Sequence, residues 1–303
     1  GELEEKLRSS KHPADRRTYQ ALKPSLSKTI ADLESKQRQR EREAELELLP
    51  RKRSTRIIAK EEDRRRQAEI ERIAVASWGH IGRLAAEYVF LDELFDFDPE
   101  ADSHGRIEVE GVERFVTLLD RDRPFIVFTA HTGNFELLPV AAASFNLHVS
   151  VLFRPPNNPY IAKKVFRFRR KRMGDLVPSH AGSAFALAGT LEQGGGVGVL
   201  VDQKFKRGTH SSFFGQAVQT NPLLGKLARQ FDCAIYPARC IRLPNNRFRL
   251  VLEDEITLPR NEKGAIDIPA TAQVLNDKVE SWVREYPEQW LWYHDRWNRR
   301  KRG

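Results

Sequence analysis

Polar residues that could carry out acid–base chemistry directly follow two short apolar runs of this sequence. His131 follows the first run, and Glu136 comes five residues later in the sequence His-Thr-Gly-Asn-Phe-Glu. Asp202 and Gln203 follow the second run. A carboxylate that fixes the tautomer of an imidazole leaves the other ring nitrogen available as a general base. These residue types therefore indicate proton abstraction from a hydroxyl by His131, whereas a histidine that is merely charge-compensated by Glu136 is the simpler alternative.

The apolar runs that precede these residues predict the strands of a sheet. Three segments are short, apolar and rich in β-forming residues, namely residues 125–130, 147–153 and 197–201. Segments with helical spacing separate them, which favours parallel strands. Because the carboxyl ends of parallel strands meet at one edge of a sheet, we expect His131, Arg154, Asp202 and Gln203 to converge on one cleft.

The remaining periodicity completes a prediction of an α/β fold with a largely parallel central sheet flanked by helices. Helical spacing covers residues 68–90, 112–119, 136–143, 160–173, 184–192, 221–231 and 268–285. A further short strand is predicted at 107–111, and residues 233–243 and 247–258 predict a hairpin at one side of the sheet.

The first 67 residues differ in composition from the rest of the chain. They are rich in charged residues and contain almost no aromatic residues, which predicts either a solvated helix or disorder. The organisation predicted is therefore a charged segment, 1–67, followed by one domain, 68–303. The helix that opens this domain carries Trp78 and Tyr88 on its apolar face, and it could pack on the core or enter a membrane interface.

The charge of the chain indicates acidic partners. It has 51 Lys and Arg against 42 Asp and Glu, a net charge of +9. Phosphates, anionic lipids, acidic carrier proteins and nucleic acid all fit this charge. Residues 167–172 add a basic block close to the predicted cleft. The sequence has no G-x-S-x-G nucleophile motif and no metal-ligand spacing, so we expect the hydroxyl to attack an activated carbonyl directly, without a metal, a cofactor or a covalent enzyme intermediate.

Several separate motifs give the chain a resemblance to a known family. His131-Thr-Gly-Asn-Phe-Glu136 resembles the H-x4-D/E motif of glycerolipid-type acyltransferases. The other blocks resemble the late acyltransferases of lipid A biosynthesis, the lauroyl and myristoyl branch. In order they are Phe153 to Pro159, Asp202-Gln203, Phe213-Phe214-Gly215 with Asn221-Pro222, and Pro287 to Trp292. This resemblance covers roughly residues 68–298 and implies a glycerol-3-phosphate-acyltransferase-like fold of the lysophospholipid-acyltransferase type.

The resemblance also implies a reaction and a set of site residues. An acyl chain would move from acyl carrier protein to the hydroxyl of a hydroxyacyl chain on a Kdo-bearing, phosphorylated lipid A precursor. His131 would be the general base, and Glu136 would orient and charge-stabilise it. Six residues would contact substrate, namely Arg154, Asn157, Asn158, Arg169, Asp202 and Gln203. Arg154 and Arg169 would contact phosphate or the oxyanion of the tetrahedral intermediate.

The resemblance places such an enzyme at the cytoplasmic face of the bacterial inner membrane. Family members usually begin with a hydrophobic anchor, whereas residues 1–70 here are hydrophilic, so peripheral binding through basic and aromatic residues is the expectation. Gln289, Trp290, Trp292 and Arg296 could form an interfacial belt or could pack in the core. Two other functions stay open, an acyltransferase for another glycolipid (a phosphoinositide mannoside or an ornithine-type lipid) and, more remotely, a basic nucleic-acid-binding or scaffold protein.

Overall fold

Helices and strands alternate along the chain, as the sequence predicts. The computed structural model describes residues 54–97, 105–121, 123–153, 175–179 and 182–297. The helices are α1 (Ser54–Leu94), α2 (Val112–Leu119), α3 (Leu137–Ser144), α4 (Ser183–Glu192), α5 (Leu223–Gln230) and α6 (Ile268–Glu285), with a 3-10 turn at Pro287–Gln289. The strands are β1 (Ile107–Glu110), β2 (Phe125–Thr129), β3 (Val149–Phe153), β4 (Leu176–Pro178), β5 (Gly196–Leu200), β6 (Thr209–Phe213), β7 (Gln216–Thr220), β8 (Ala234–Leu243) and β9 (Arg247–Leu252).

A mostly parallel sheet forms the centre of the fold. Within the described part of the chain it has seven strands in the order β1-β9-β8-β2-β5-β3-β4. The neighbours pair in parallel, except for the hairpin of β8 and β9, which is antiparallel. The predicted α/β class and the hairpin at one side of the sheet are therefore confirmed. The carboxyl ends of β2 and β5 lie side by side, and we call this edge of the sheet the carboxyl edge.

Helices cover both faces of the sheet. On one face, α2 and α3 pack against alternate residues of the strands, including Phe125 and Val149. Because side chains alternate across a strand, Phe128 and Ser150 point to the other face. There the Phe128 ring stacks on Trp282 of α6, with 6.0 Å between ring centroids, and the Ser150 hydroxyl lies 3.0 Å from the Thr190 hydroxyl of α4. The result is a sheet between two layers of helices.

A two-stranded hairpin, β6 with β7, lies outside the main sheet. It was not predicted, and neither was the three-residue strand β4. The turn of the hairpin is Phe214-Gly215, and both residues have positive φ, 51° and 67°, as a two-residue hairpin turn requires. The Phe214 N–H donates to the Glu280 carboxylate at 2.5 Å, and the Ser212 N–H donates to Gln273 at 2.8 Å. These contacts hold the hairpin on α6.

The described residues form two compact units, one of residues 54–82 and 283–295, and the other of the remaining residues from 83 to 297. Within the smaller unit, Trp290 and Trp292 are buried, their rings meet edge to face, and the Ser77 hydroxyl donates to the Trp290 carbonyl. Gln289 is buried as well. Of the two alternatives for these three residues, packing in the core is therefore confirmed and the interfacial belt does not form.

Helix α1 begins at Ser54 and continues without a break through residues 67 and 68, where composition alone suggested a boundary. The helix predicted at 160–173 and residues 1–53 lie outside the described residues. In the part of the chain that the structure describes, no helix is long and apolar enough to cross a membrane.

Candidate active site

The site begins where β2 ends, because the chain turns sharply there and directs His131 toward the neighbouring strand. The Thr132 N–H donates to the Ala130 carbonyl at 2.8 Å, which marks a tight turn directly after the strand. The His131 side chain is 10% exposed. It is therefore largely shielded from solvent.

Asp202 holds His131 by two contacts. Parallel pairing of β2 with β5 matches Thr129 with Leu200, and the Val201 N–H still donates to the Thr129 carbonyl at 3.0 Å. This register brings Asp202 beside His131. One carboxylate oxygen lies 2.7 Å from His131 Nδ1, and the other accepts the His131 backbone N–H at 2.8 Å.

These contacts determine which ring nitrogen of His131 can act as a base. A carboxylate at Nδ1 favours a proton on that nitrogen, so the lone pair resides on Nε2. The amide nitrogen of Gln203 lies 3.0 Å from Nε2 and fits as a donor to that lone pair. The ring of Phe135 meets the imidazole edge to face at 4.7 Å between centroids and limits its rotation.

Glu136, the second carboxylate of the motif, is 4% exposed and accepts a hydrogen bond from the Tyr88 hydroxyl. The resemblance assigns the orienting contact on His131 to Glu136 and places Asp202 among the substrate-binding residues. In the structure, Asp202 is the carboxylate at hydrogen-bond distance from Nδ1. Helical spacing places Tyr88 on the apolar face of its helix, and the sequence carries no signal that its hydroxyl reaches the motif.

The backbone conformation of Gly133 determines how the chain turns after β2. Its φ is +56°, and a Cβ at this position would lie 2.4 Å from the Cys240 carbonyl oxygen of β8. A residue with a side chain would be strained by the positive φ and would collide with the backbone of β8. Glycine therefore lets the motif pass directly over the central sheet.

A buried charged network lies next to this turn. Asn134 is fully buried, and its amide nitrogen donates to Glu87 at 2.9 Å. Arg242 of β8 pairs with the same carboxylate through both terminal nitrogens, one of them at 2.9 Å, and its guanidinium lies 4.8 Å from the Phe248 ring centroid. Since a buried charge is costly unless it is paired, the network is stable only when Glu87 and Arg242 are both present.

Arg296 adds a second buried cation to the same unit. It is 1% exposed and donates to the Gln219 carbonyl at 2.7 Å, to the Thr220 hydroxyl at 2.7 Å and to Asn276 at 3.1 Å. Burial lowers the pKa of Arg296 to about 10, and the charge of Asp202 acts in the opposite direction. Arg296 is therefore still protonated at neutral pH, and its charge is felt at Asp202.

The structure thus brings together three of the predicted site residues, His131, Asp202 and Gln203. The other predicted substrate-binding residues lie outside the described part of the chain, namely Arg154, Asn157, Asn158 and Arg169. Among the described residues, no group of three or more His, Cys, Asp and Glu side chains is placed to hold a metal ion. The arrangement can polarise a hydroxyl group that approaches Nε2 of the imidazole.

Comparison with known proteins identifies a family. The family model described as bacterial lipid A biosynthesis acyltransferase matches residues 64–299. That span includes every residue of the site described above. A search of curated proteins finds no match to the chain.

Proposed function

Because the chain belongs to the bacterial lipid A biosynthesis acyltransferase family, it is an acyltransferase of lipid A biosynthesis, and we propose a donor and an acceptor for it. The donor is acyl carrier protein that carries a lauroyl- or myristoyl-like chain. The acceptor is the hydroxyl of a hydroxyacyl chain on a Kdo-bearing lipid A precursor. The net charge of +9 supports both choices, since the carrier protein is acidic and the lipid is phosphorylated.

The observation that carries the mechanism is the double contact of Asp202 with His131. It favours the tautomer that leaves the Nε2 lone pair available, and it stabilises the imidazolium that forms when this nitrogen takes a proton. The Asp202 side chain is 2% exposed, so water screens the interaction weakly. The buried Glu136 adds a second carboxylate at the motif.

The reaction follows from this arrangement. Nε2 of His131 takes the proton of the acceptor hydroxyl, and the hydroxyl oxygen forms a bond to the thioester carbonyl carbon. The carbonyl oxygen carries the negative charge of the tetrahedral intermediate. The intermediate collapses as the carbon–sulfur bond breaks, and the imidazolium returns its proton to the leaving thiolate. The products are an ester on the acceptor and the free thiol of the carrier protein.

The remaining site residues are assigned to binding. Gln203 lies against Nε2 where the acceptor hydroxyl must arrive, so its amide has to move and can then bind the acceptor. Arg154 and Arg169 stabilise the oxyanion or bind the phosphate of the acceptor, and Asn157 and Asn158 contact the acceptor as well. We infer a peripheral position at the cytoplasmic leaflet of the inner membrane, where both substrates meet.

The test is an acyl-transfer assay with product mass as readout. Purified protein is given acyl carrier protein thioesters of several chain lengths and the Kdo-bearing tetraacyl lipid A precursor. The expected product is heavier by one acyl chain. His131→Ala should lower the rate by about 10²- to 10⁴-fold, because it removes the general base. His148→Ala, which changes an exposed histidine, is the matched control and should retain the wild-type rate.

Each other outcome has a defined meaning. No mass gain on this precursor, with gain on a mannosylated phosphoinositide or an ornithine lipid, would replace the acceptor and keep the chemistry. Full activity of a folded His131→Ala protein would refute His131 as the base.

A further inference from the structure

The chain leaves the carboxyl edge of the sheet through a short basic segment. Directly after Gln203 come Lys204, Phe205, Lys206 and Arg207, and β6 begins two residues later. Phe205 is 39% exposed, and Lys206 and Arg207 are exposed as well. We call these four residues the 204–207 loop. It carries three cations and an exposed aromatic ring within four positions of the Asp202–Gln203 pair.

A second exposed aromatic residue lies at the same edge. Strand β4 is parallel to β3, and β3 is parallel to β5, so all three end at the carboxyl edge. Helix α4 follows β4 and therefore starts at this edge. Phe185, in its first turn, is 82% exposed. Contact of such an exposed phenyl ring with water is unfavourable. Transfer of the ring to an apolar medium is therefore favourable.

We propose that the 204–207 loop docks the carboxyl edge on an anionic bilayer, with Phe205 in the headgroup region and Lys206 and Arg207 on lipid phosphates. This proposal rests on the function proposed above, because it is the lipid acceptor that lies in such a bilayer. Cations next to an anionic surface gain electrostatic energy, and an aromatic ring inserts at the boundary of headgroups and acyl chains.

The aromatic residues decide between a bilayer and an acidic protein as the partner. An acidic carrier protein would need only Lys204, Lys206 and Arg207. Two exposed phenyl rings at one edge, Phe205 and Phe185, favour a surface with an apolar interior. Because the loop continues directly from Gln203, docking brings the Nε2 side of His131 toward the lipid that carries the hydroxyl.

A local fluorescent reporter tests the contact. Phe205→Cys is labelled with an environment-sensitive fluorophore, which takes the place of the phenyl ring. The native thiols of Cys233 and Cys240 are free but buried, and burial raises the pKa of Cys233 to about 11 and that of Cys240 to about 12. Both are therefore mostly protonated at pH 8, and labelling is selective for the introduced cysteine.

Vesicles of dioleoylphosphatidylcholine, with and without dioleoylphosphatidylglycerol, are the probes. The label at 205 should brighten and shift to the blue with the anionic vesicles and much less with the neutral ones. Lys263→Cys, labelled in the same way at an exposed position of another turn, is the control. An equal response at both positions, or none at 205, overturns the proposal.

The charges are tested by affinity for the same vesicles. Each cation near an anionic surface contributes roughly fivefold, so Lys206→Gln with Arg207→Gln should weaken binding by about 25-fold. Lys226→Gln with Lys263→Gln removes the same charge from exposed positions outside the loop and should change the affinity much less. Equal losses in the two double variants would mean that net charge alone drives binding, which overturns the proposal.

Vesicle binding and acyl-transfer kinetics, measured separately, distinguish a failure of this proposal from a failure of the proposed function. The His131→Ala chain should bind anionic vesicles as well as the wild type, since docking requires no turnover. If the label at position 205 responds to anionic vesicles but the protein has no transfer activity, the docking surface is supported and the proposed reaction is refuted. A rise in the KM for acyl carrier protein in the 206/207 variant, with vesicle affinity unchanged, assigns the loop to the carrier protein and overturns the docking proposal.

Discussion

The two flanks of His131 are built in opposite ways. Toward β8, the motif meets the Gly133–Cys240 contact and the Glu87–Arg242 pair, where the charges are buried and bonded to each other. Toward β5, the buried Asp202 carboxylate bonds to His131, and the chain continues into the exposed 204–207 loop. The same unit thus satisfies its charges internally on one flank and presents them outward on the other.

The difference distinguishes residues that hold the motif in place from residues that take part in the reaction or in binding. On the β8 flank, Glu87 and Arg242 bond to each other and to the motif, so their effect is on the position of the motif. Charges on the β5 flank contact the reacting ring directly or lie exposed beyond it. Variants of the β8 flank should therefore change stability first, and variants of the β5 flank should change turnover or binding first.

The largest effect is expected at Asp202. Asp202→Asn cannot accept both the ring and the backbone N–H as a carboxylate does, so the imidazole loses its preferred tautomer. The transfer rate should fall by about 10²- to 10⁴-fold while the protein stays folded. Single-turnover kinetics measure the loss, and circular dichroism checks the fold. Asp277→Asn, at an exposed position of α6, is the control. A fall of less than tenfold would contradict the role of Asp202.

On the β8 flank, the largest loss of stability is expected from a change to the Glu87–Arg242 ion pair. Arg242→Met leaves the Glu87 carboxylate uncompensated, which should lower the free energy of unfolding by about 3–5 kcal/mol. Adding Glu87→Gln should recover part of that loss, because the two residues act as a unit. Urea denaturation of the two single variants and the double variant completes the cycle. Strictly additive losses would show that the pair is not coupled.

Gly133 sharpens the comparison within the motif itself. Gly133→Ala combines a positive φ with a Cβ 2.4 Å from the Cys240 carbonyl oxygen, and should cost about 2–4 kcal/mol of stability. Gly189→Ala is the matched control, because no atom lies within 4 Å of its Cβ and it sits inside α4. This control should gain about 0.5–1 kcal/mol. Thermal unfolding of both variants decides, and equal shifts would be inconsistent with the strained turn.

The smallest effect is expected at Tyr88. Tyr88→Phe removes the hydroxyl that donates to Glu136 and leaves a buried carboxylate with one donor fewer. The free energy of unfolding should fall by about 1.5–3 kcal/mol, the range for hydrogen bonds to charged groups. Tyr293→Phe, whose ring is 43% exposed, is the control for the loss of a hydroxyl. An unchanged Tyr88→Phe protein would remove Tyr88 from the set of residues that hold the motif.

The sequence predicts those elements whose residues carry a hydrophobic pattern. Strands β2, β5 and β8 are apolar and buried, so their residue types predict them within a residue or two. Strand β4 has three half-buried residues, which is too short for periodicity. Strands β6 and β7 consist mainly of Ser, Thr and Gln, so only their pairing and their contacts with α6 identify them.

The site, like the fold, is predictable only in part. Convergence of His131 with Asp202 and Gln203 follows from strand ends alone, because each residue comes directly after its own apolar run. Which carboxylate faces Nδ1 does not follow, since the path of the turn depends on Gly133 passing the Cys240 carbonyl of a distant strand. The contribution of Tyr88 was equally hidden, because the packing of a helix end against the motif is a tertiary contact.

The pairing of β1 with β9 has a consequence for the order in which the protein can form. Ile107 pairs with Phe248, a residue about 140 positions further along the chain. At a synthesis rate of about 5–20 residues per second, β1 waits roughly 7 to 28 s on the ribosome before its partner strand exists. During that time its Ile107 side chain, buried in the finished protein, has no strand to cover it. The newly made chain therefore passes through an interval in which β1 has no partner strand and Ile107 is not yet covered by β9.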